Sequence, residues 1–120
     1  MAIKIAATRI AQADDYAARV VSLSLHTGSP GSGPTPANEV TGGSPAYARK
    51  TASWDGATDN GTVATAVGDE VEFDVPMGTE VTHVGYLDSE GDLVDWVDSA
   101  DITFESAAGK LRVTPRYTQT

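Results

Sequence analysis

A chain of 120 residues can build one hydrophobic core but not two. Its 8 basic and 17 acidic residues leave a formal charge of −9, the wrong sign for a nucleic-acid partner. Having no cysteine, it has no disulfide framework, no thiolate metal site and no thiol nucleophile.

Ile3, Ala6, Ala7, Ile10, Ala13, Ala17 and Val20 recur near the 3.6-residue period of an amphipathic helix. The spacing predicts a short helix or arm within residues 1–20, which closes one end of the fold or docks on a neighbouring subunit. Ile3-Lys4-Ile5 also reads as a short strand, and Asp14-Asp15 as the start of a shorter helix. In the next stretch Val21, Leu23 and Leu25 alternate with Ser22, Ser24 and His26, the period of a half-buried strand. Residues 28–45 hold five glycines and four of the six prolines, which predicts an extended loop, and loops this long are mostly functional or disordered. Ala46 to Trp54 then alternates as a second strand.

Asp55 to Gly61 is a turn by composition. Thr62–Val67, Glu70–Pro76, Glu80–Asp88, Asp92–Asp98, Ile102–Glu105 and Lys110–Tyr117 follow as short strands between turn residues. Met77-Gly78, Ser89-Glu90-Gly91 and the SAAG run mark three of the turns. Val71, Phe73 and Val75 point inward by alternation, and Pro115 suits an edge strand. No Lys or Arg lies between Thr51 and Gly109, a span that holds 14 of the 17 acidic residues. The basic face of the last strand, Lys110, Arg112 and Arg116, therefore either pairs with an acidic strand or reaches a partner chain. The pattern predicts a single mainly β domain over residues 1–120, an antiparallel β-sandwich (jelly-roll-like) with a short N-terminal helix.

Sequence signals for catalysis are missing. His26 and His83 stand in strands outside any nucleophile, zinc or phosphate-loop pattern, so no catalytic, cofactor-binding or metal residue is assigned. The two could meet on neighbouring strands, but no third ligand is identified. Asp88, Glu90 and Asp92 read as a solvated hairpin tip, because the spacing is not that of an EF-hand loop. Tyr47, Trp54, Tyr86 and Trp96 could form a sugar platform, although aromatics in strands mostly serve the core. No apolar run is long enough for a membrane helix, and no export signal is seen at the N-terminus.

Leu25-His26-Thr27, Pro30-Gly31, Ala37-Asn38-Glu39, Gly42-Gly43 and Ala46-Tyr47-Ala48-Arg49, with a second block from Val81 to Asp88, carry a resemblance. The chain resembles a family of small phage virion proteins, known as head decoration, minor tail or tail-fibre proteins, especially of actinobacterial phages. It departs from them at Gly33-Pro34-Thr35-Pro36, which looks like an insertion, and at Ser29, where aspartate is common.

The resemblance implies a non-enzymatic virion structural protein, assembled in the host cytoplasm. The first expectation is a decoration protein on the major capsid protein. The alternatives are a minor tail or tail-fibre protein bound to tail proteins, and a carbohydrate-binding module. A homo-trimer or other symmetric homo-oligomer is expected, with no nucleic-acid or membrane partner. Partner contacts are assigned to Pro30, Gly31, Pro34, Pro36, Asn38 and Glu39 of the loop and to Arg49, Arg112 and Arg116 of the strands.

Overall fold

A computed structural model describes residues 3–43, 45–76, 78–98, 103–107 and 109–120. Ser44 of the predicted loop, Met77 and Ala108 of two predicted turns, and Ile102 of a predicted strand lie outside the described residues. The elements in order are α1 (Ala6–Arg19), β1 (Ser22–His26), β2 (Lys50–Thr51), β3 (Thr58–Asp59), β4 (Ala64–Val67), β5 (Val71–Asp74), β6 (His83–Leu87), β7 (Leu93–Asp98), β8 (Thr103–Ala107), β9 (Lys110–Thr114) and β10 (Arg116–Gln119). The fold is mainly β, with antiparallel sheets and one N-terminal helix.

One layer is a four-stranded sheet, β2-β1-β6-β7. The other is split into two three-stranded sheets, β5-β9-β8 and β10-β4-β3. Leu23, Leu25, Val84 and Tyr86 from the first layer meet Phe73, Leu111 and Val113 of β5 and β9 in the main core. The predicted alternation of β5 holds at its centre, where Phe73 is fully buried between exposed Glu72 and half-buried Asp74. A smaller cluster joins α1 to β4: Ala13 and Ala17 lie buried against Ala64 and Ala66, with Ile10, Trp54, Ala57 and Tyr117 packed around them. The small methyl groups at its centre let helix and sheet approach closely.

The helix starts later than its apolar pattern suggested: Ala13 and Ala17 of the predicted face are buried, but the start of that pattern is not. Ile5 precedes it in extended conformation, while Ala6 and Ala7 are exposed. The third residue on its buried face is Arg9. Asp59 answers it with two charge-assisted bonds, Nε to Oδ2 at 2.6 Å and Nη2 to Oδ1 at 2.8 Å. A third bond, from Nη1 to the Ile3 carbonyl at 2.7 Å, ties down the chain before the helix. The guanidinium holds the Asp59 carboxyl below its usual range. Asp59 belongs to β3, so the predicted turn Asp55 to Gly61 contains a short strand paired with β4.

Two more expectations change in space. The strand predicted from Ala46 to Trp54 contracts to β2. Around it the backbone bonds scatter, with Tyr47 N–H going to Gly42 and Ala52 N–H to Val21, while Ser53 C=O accepts from Asp69. The strand predicted from Lys110 to Tyr117 breaks at Pro115. Proline has no N–H to continue a ladder, and here it is buried at a switch between sheets rather than on an edge. Before it, β9 is the central strand between β5 and β8; after it, β10 pairs with β4. Cross-strand pairing accounts for two of the last strand's cations, Lys110 with Asp74 and Arg112 with Glu72, matching the β5–β9 register.

The switch needs Gly68, whose N–H donates to the Pro115 carbonyl at 2.9 Å. A Cβ there would stand 2.6 Å from the Pro115 ring and 3.0 Å from the Ser53 carbonyl. Gly68→Ala is expected to destabilise the fold by about 1–3 kcal/mol. Gly56→Ala, with open space around its Cβ, should change stability by less than about 0.5 kcal/mol. Urea unfolding of both variants checks the pair.

Candidate functional site: a loop clamped across the four-stranded sheet

Residues 27–38 leave β1 and cover the sheet face that carries Ser24 and His26, and the return beside β1 brings Val40 and Tyr47 to the main core. The return is anchored by Thr27 N–H to Asn38 C=O and Val40 N–H to Leu25 C=O, both 3.0 Å. Asn38 makes the corner in the left-handed region, φ 60°, which asparagine tolerates better than most residues. Its side-chain amide donates to the Ser29 carbonyl at 2.9 Å. The far side of the loop reaches β7. Leu93 N–H donates to the Pro34 carbonyl at 2.8 Å, and the Trp96 indole donates to the Gly31 carbonyl at 3.0 Å. The loop is therefore not an extended arm. It is fastened to its own sheet from β1 to β7, with Pro30 fully buried beneath it.

This cover explains why β1 is buried on both faces, where alternation predicted one. Ser24 and His26 are both fully buried. His26 Nδ1 lies 2.7 Å from the Ala37 carbonyl and Nε2 lies 2.7 Å from Ser24 Oγ. A carbonyl can only accept, so Nδ1 carries the proton and the Ser24 hydroxyl donates to Nε2. Burial pushes the His26 pKa below its ordinary value of 6.5, more than the Ala37 bond and nearby Glu39 raise it. Gly85 on β6 sits opposite Ser24 and leaves room for this pair. A Cβ at that position would lie 2.4 Å from Ser24 Oγ and 2.8 Å from His26 Nε2.

His26 and His83 do stand opposite each other in the β1–β6 register. His83 turns to other partners, Nδ1 to Thr82 Oγ1 at 2.7 Å and Nε2 to Asp98 at 3.0 Å, and no cluster of three candidate metal ligands occurs among the described residues. The His83 ring meets Trp96 edge-on, with centroids 5.1 Å apart.

The third fastening is polar. Arg49 grips Glu39 with Nη2 to Oε1 at 2.8 Å and Nε to Oε2 at 2.9 Å. The Tyr47 hydroxyl donates to Glu39 Oε2 at 2.8 Å and accepts from Leu25 N–H at 2.9 Å. Burial opposes the Glu39 charge, yet the bonds from Arg49 and Tyr47 hold its pKa below the usual carboxylate range.

Seven of the nine predicted contact residues thus belong to one site: Pro30, Gly31, Pro34, Pro36, Asn38, Glu39 and Arg49. The other two do not. Arg112 is on β9 with Glu72, and Arg116 opens β10, where its backbone N–H and C=O both bond the buried Tyr86 hydroxyl. The four candidate platform aromatics also disperse. Tyr86 is buried in the core, with its pKa pushed up to about 12 by burial. Trp54 donates to the Val20 carbonyl, Tyr47 holds Glu39, and Trp96 lies under Gly31. The Asp88 carboxylate caps its own hairpin turn, accepting from Glu90 and Asp92 N–H at 2.9 and 3.0 Å. Sequence reasoning missed the parts played by Ser24 and Gly85, which only the strand register brings to His26.

The outer surface of this clamp is unusual for the chain. Between Thr27 and Ala48 the single charged residue is Glu39, which Arg49 neutralises. An uncharged patch of this kind stands out on a strongly acidic chain. Comparison with known families brings residues 10–94 into correspondence with phage fibre proteins, a class of virion structural protein. The chain belongs to the family of the podophage GP4 fiber I protein gp80. The matched span encloses the loop and every clamp residue named above except Trp96 and Asp98. Comparison with characterised proteins and with solved structures finds no match. The expected virion class holds, whereas the family match carries neither an actinobacterial source nor a head location and fits the fibre alternative better.

Two tests follow from the clamp. Tyr47→Phe leaves Leu25 N–H without its partner, at an expected cost of about 1–3 kcal/mol in urea unfolding. His26 and Glu39 both lose stability on acidification, but in different pH windows. The folded pKa of His26 is lowered, so the unfolded chain takes up the proton first and stability falls as pH drops below 6.5. Glu39 loses its contribution only below the ordinary carboxylate value of 4.5. The urea midpoint should therefore decline from pH of about 7 to about 5, and His26→Gln should flatten that decline.

Proposed function

We propose that this chain is a non-enzymatic structural subunit of a phage fibre, held in the virion through the face of its clamped loop. The observation that carries the reading is the family match over residues 10–94, which takes in the loop and almost all of its fastenings. Physical chemistry supports the same face. Like-charge repulsion between acidic neighbours is weakest where the surface is neutral. The loop is already ordered by its own sheet, so docking it costs little further conformational entropy. The partners on this reading are tail proteins and further copies of the chain, in a symmetric assembly.

Purified particles test it. A peptide tag after Thr120, labelled with gold and imaged, should appear on fibres, and quantitative mass spectrometry should count a handful of copies per particle. Label spread over the head, with hundreds of copies, would overturn the fibre assignment in favour of a decoration protein.

A further inference from the structure

Among the described residues two large apolar side chains are exposed, Ile5 at 63% and Val21 at 40%. They flank the two ends of α1, about 21 Å apart along 14 residues at 1.5 Å each. The two ends differ in shape. Ile5 projects from the start of the helix, whereas Val21 lines a groove of about 490 Å³ with Ala18, Arg19, Asp88, Ser89 and Val94.

They are complementary in charge. At the Ile5 end, Lys4 is exposed and makes no ion pair among the described residues. The helix start there has no side-chain cap and no acidic residue in its first turn, so its free N–H groups add positive potential. At the groove end, Asp88 uses Oδ1 for its turn, and its Oδ2 takes no hydrogen bond among the described residues. Ser89 beside it is exposed. Asp and Ser are the side chains that most often cap a helix start. Arg19 on the rim is neutralised by Asp15 at 3.2 Å.

We propose that copies of this chain dock head to tail, with Ile5 of one copy seated among Ala18, Val21 and Val94 of the next and Lys4 against Asp88. The contact joins two different patches, so it closes into a ring or runs on as a row. It does not depend on where in the virion the copies sit, so particle labelling and the test below fail separately. A patch this small binds weakly between free copies and gains from high local concentration in an assembly.

The absence of cysteine makes the contact directly readable. Ile5→Cys and Val21→Cys are made as separate variants of the full chain; both positions are exposed, so neither should disturb the fold. The two are mixed in equal amounts and gently oxidised. Random encounter makes mixed dimers about half of the cross-linked product, whereas the proposed contact brings these two side chains within disulfide reach and should raise that share well above half. Adding Lys4→Glu to the Ile5→Cys chain should lower the yield of mixed dimer several-fold, and Lys4→Arg should not. A mixed share at or below the random value, or a yield indifferent to Lys4→Glu, would overturn the head-to-tail contact.

Discussion

His26 is buried with both ring nitrogens engaged, and the course of the loop follows from that. A neutral imidazole out of water needs one acceptor and one donor. Leaving either side unmatched costs about 1–3 kcal/mol, a large share of the roughly 5–15 kcal/mol that holds a domain folded. The donor is local: Ser24 lies two residues earlier, on the same face of β1. The acceptor is not. The Ala37 carbonyl is eleven residues away, and reaches Nδ1 only when the loop has crossed the sheet and turned back. Gly85 completes the set by presenting no side chain where the ring and hydroxyl must fit. Closure of the loop and burial of the histidine are therefore one event.

Around that centre the other fastenings act on different parts of the loop. Glu39, Arg49 and Tyr47 hold its return, and the Tyr47 hydroxyl also satisfies the Leu25 amide, linking loop and sheet through one oxygen. Trp96 and Leu93 hold its outer span. That second contact also affects β7, an edge strand of the four-stranded sheet. Its Leu93 amide is taken by Pro34, and its Trp96 amide by the Asp95 carboxylate. An edge with two of its donors taken and acidic residues along it is a poorer template for stray strand pairing. The same loop thus covers a buried histidine and guards an edge.

Elements that depend on near neighbours in sequence were legible. The helix, the alternation around Phe73 in β5 and the Asp88–Asp92 hairpin needed only local period and turn chemistry. The blocks Leu25-His26-Thr27, Ala37-Asn38-Glu39 and Ala46-Tyr47-Ala48-Arg49 supplied the clamp's main parts, but not their partners. What stayed hidden was set at long range. Arg9 and Asp59 are fifty residues apart, and a lone arginine among alanines reads as solvent-facing. Ser24 and His26 read as a wet face because nothing in β1 says that a loop will cover it. Pro115 announces that a ladder stops; it does not announce that the chain changes sheets.

Charge gives these features a common direction. The long span without cations carries most of the acid, and several of those carboxylates are already spent within the chain, on Arg9, Lys110, Arg112 and the Tyr16 hydroxyl. The surplus lies elsewhere, as at exposed Asp69, Glu70, Glu80 and Glu90. Two such surfaces repel one another when brought face to face in water, and the repulsion weakens beyond about 8–10 Å at ordinary salt. Neighbours must then approach through patches where charge is absent or opposed. The clamp face is the first kind, and the two ends of α1 are the second. Acidity over the rest of the surface disfavours approach by another acidic surface anywhere but at these patches.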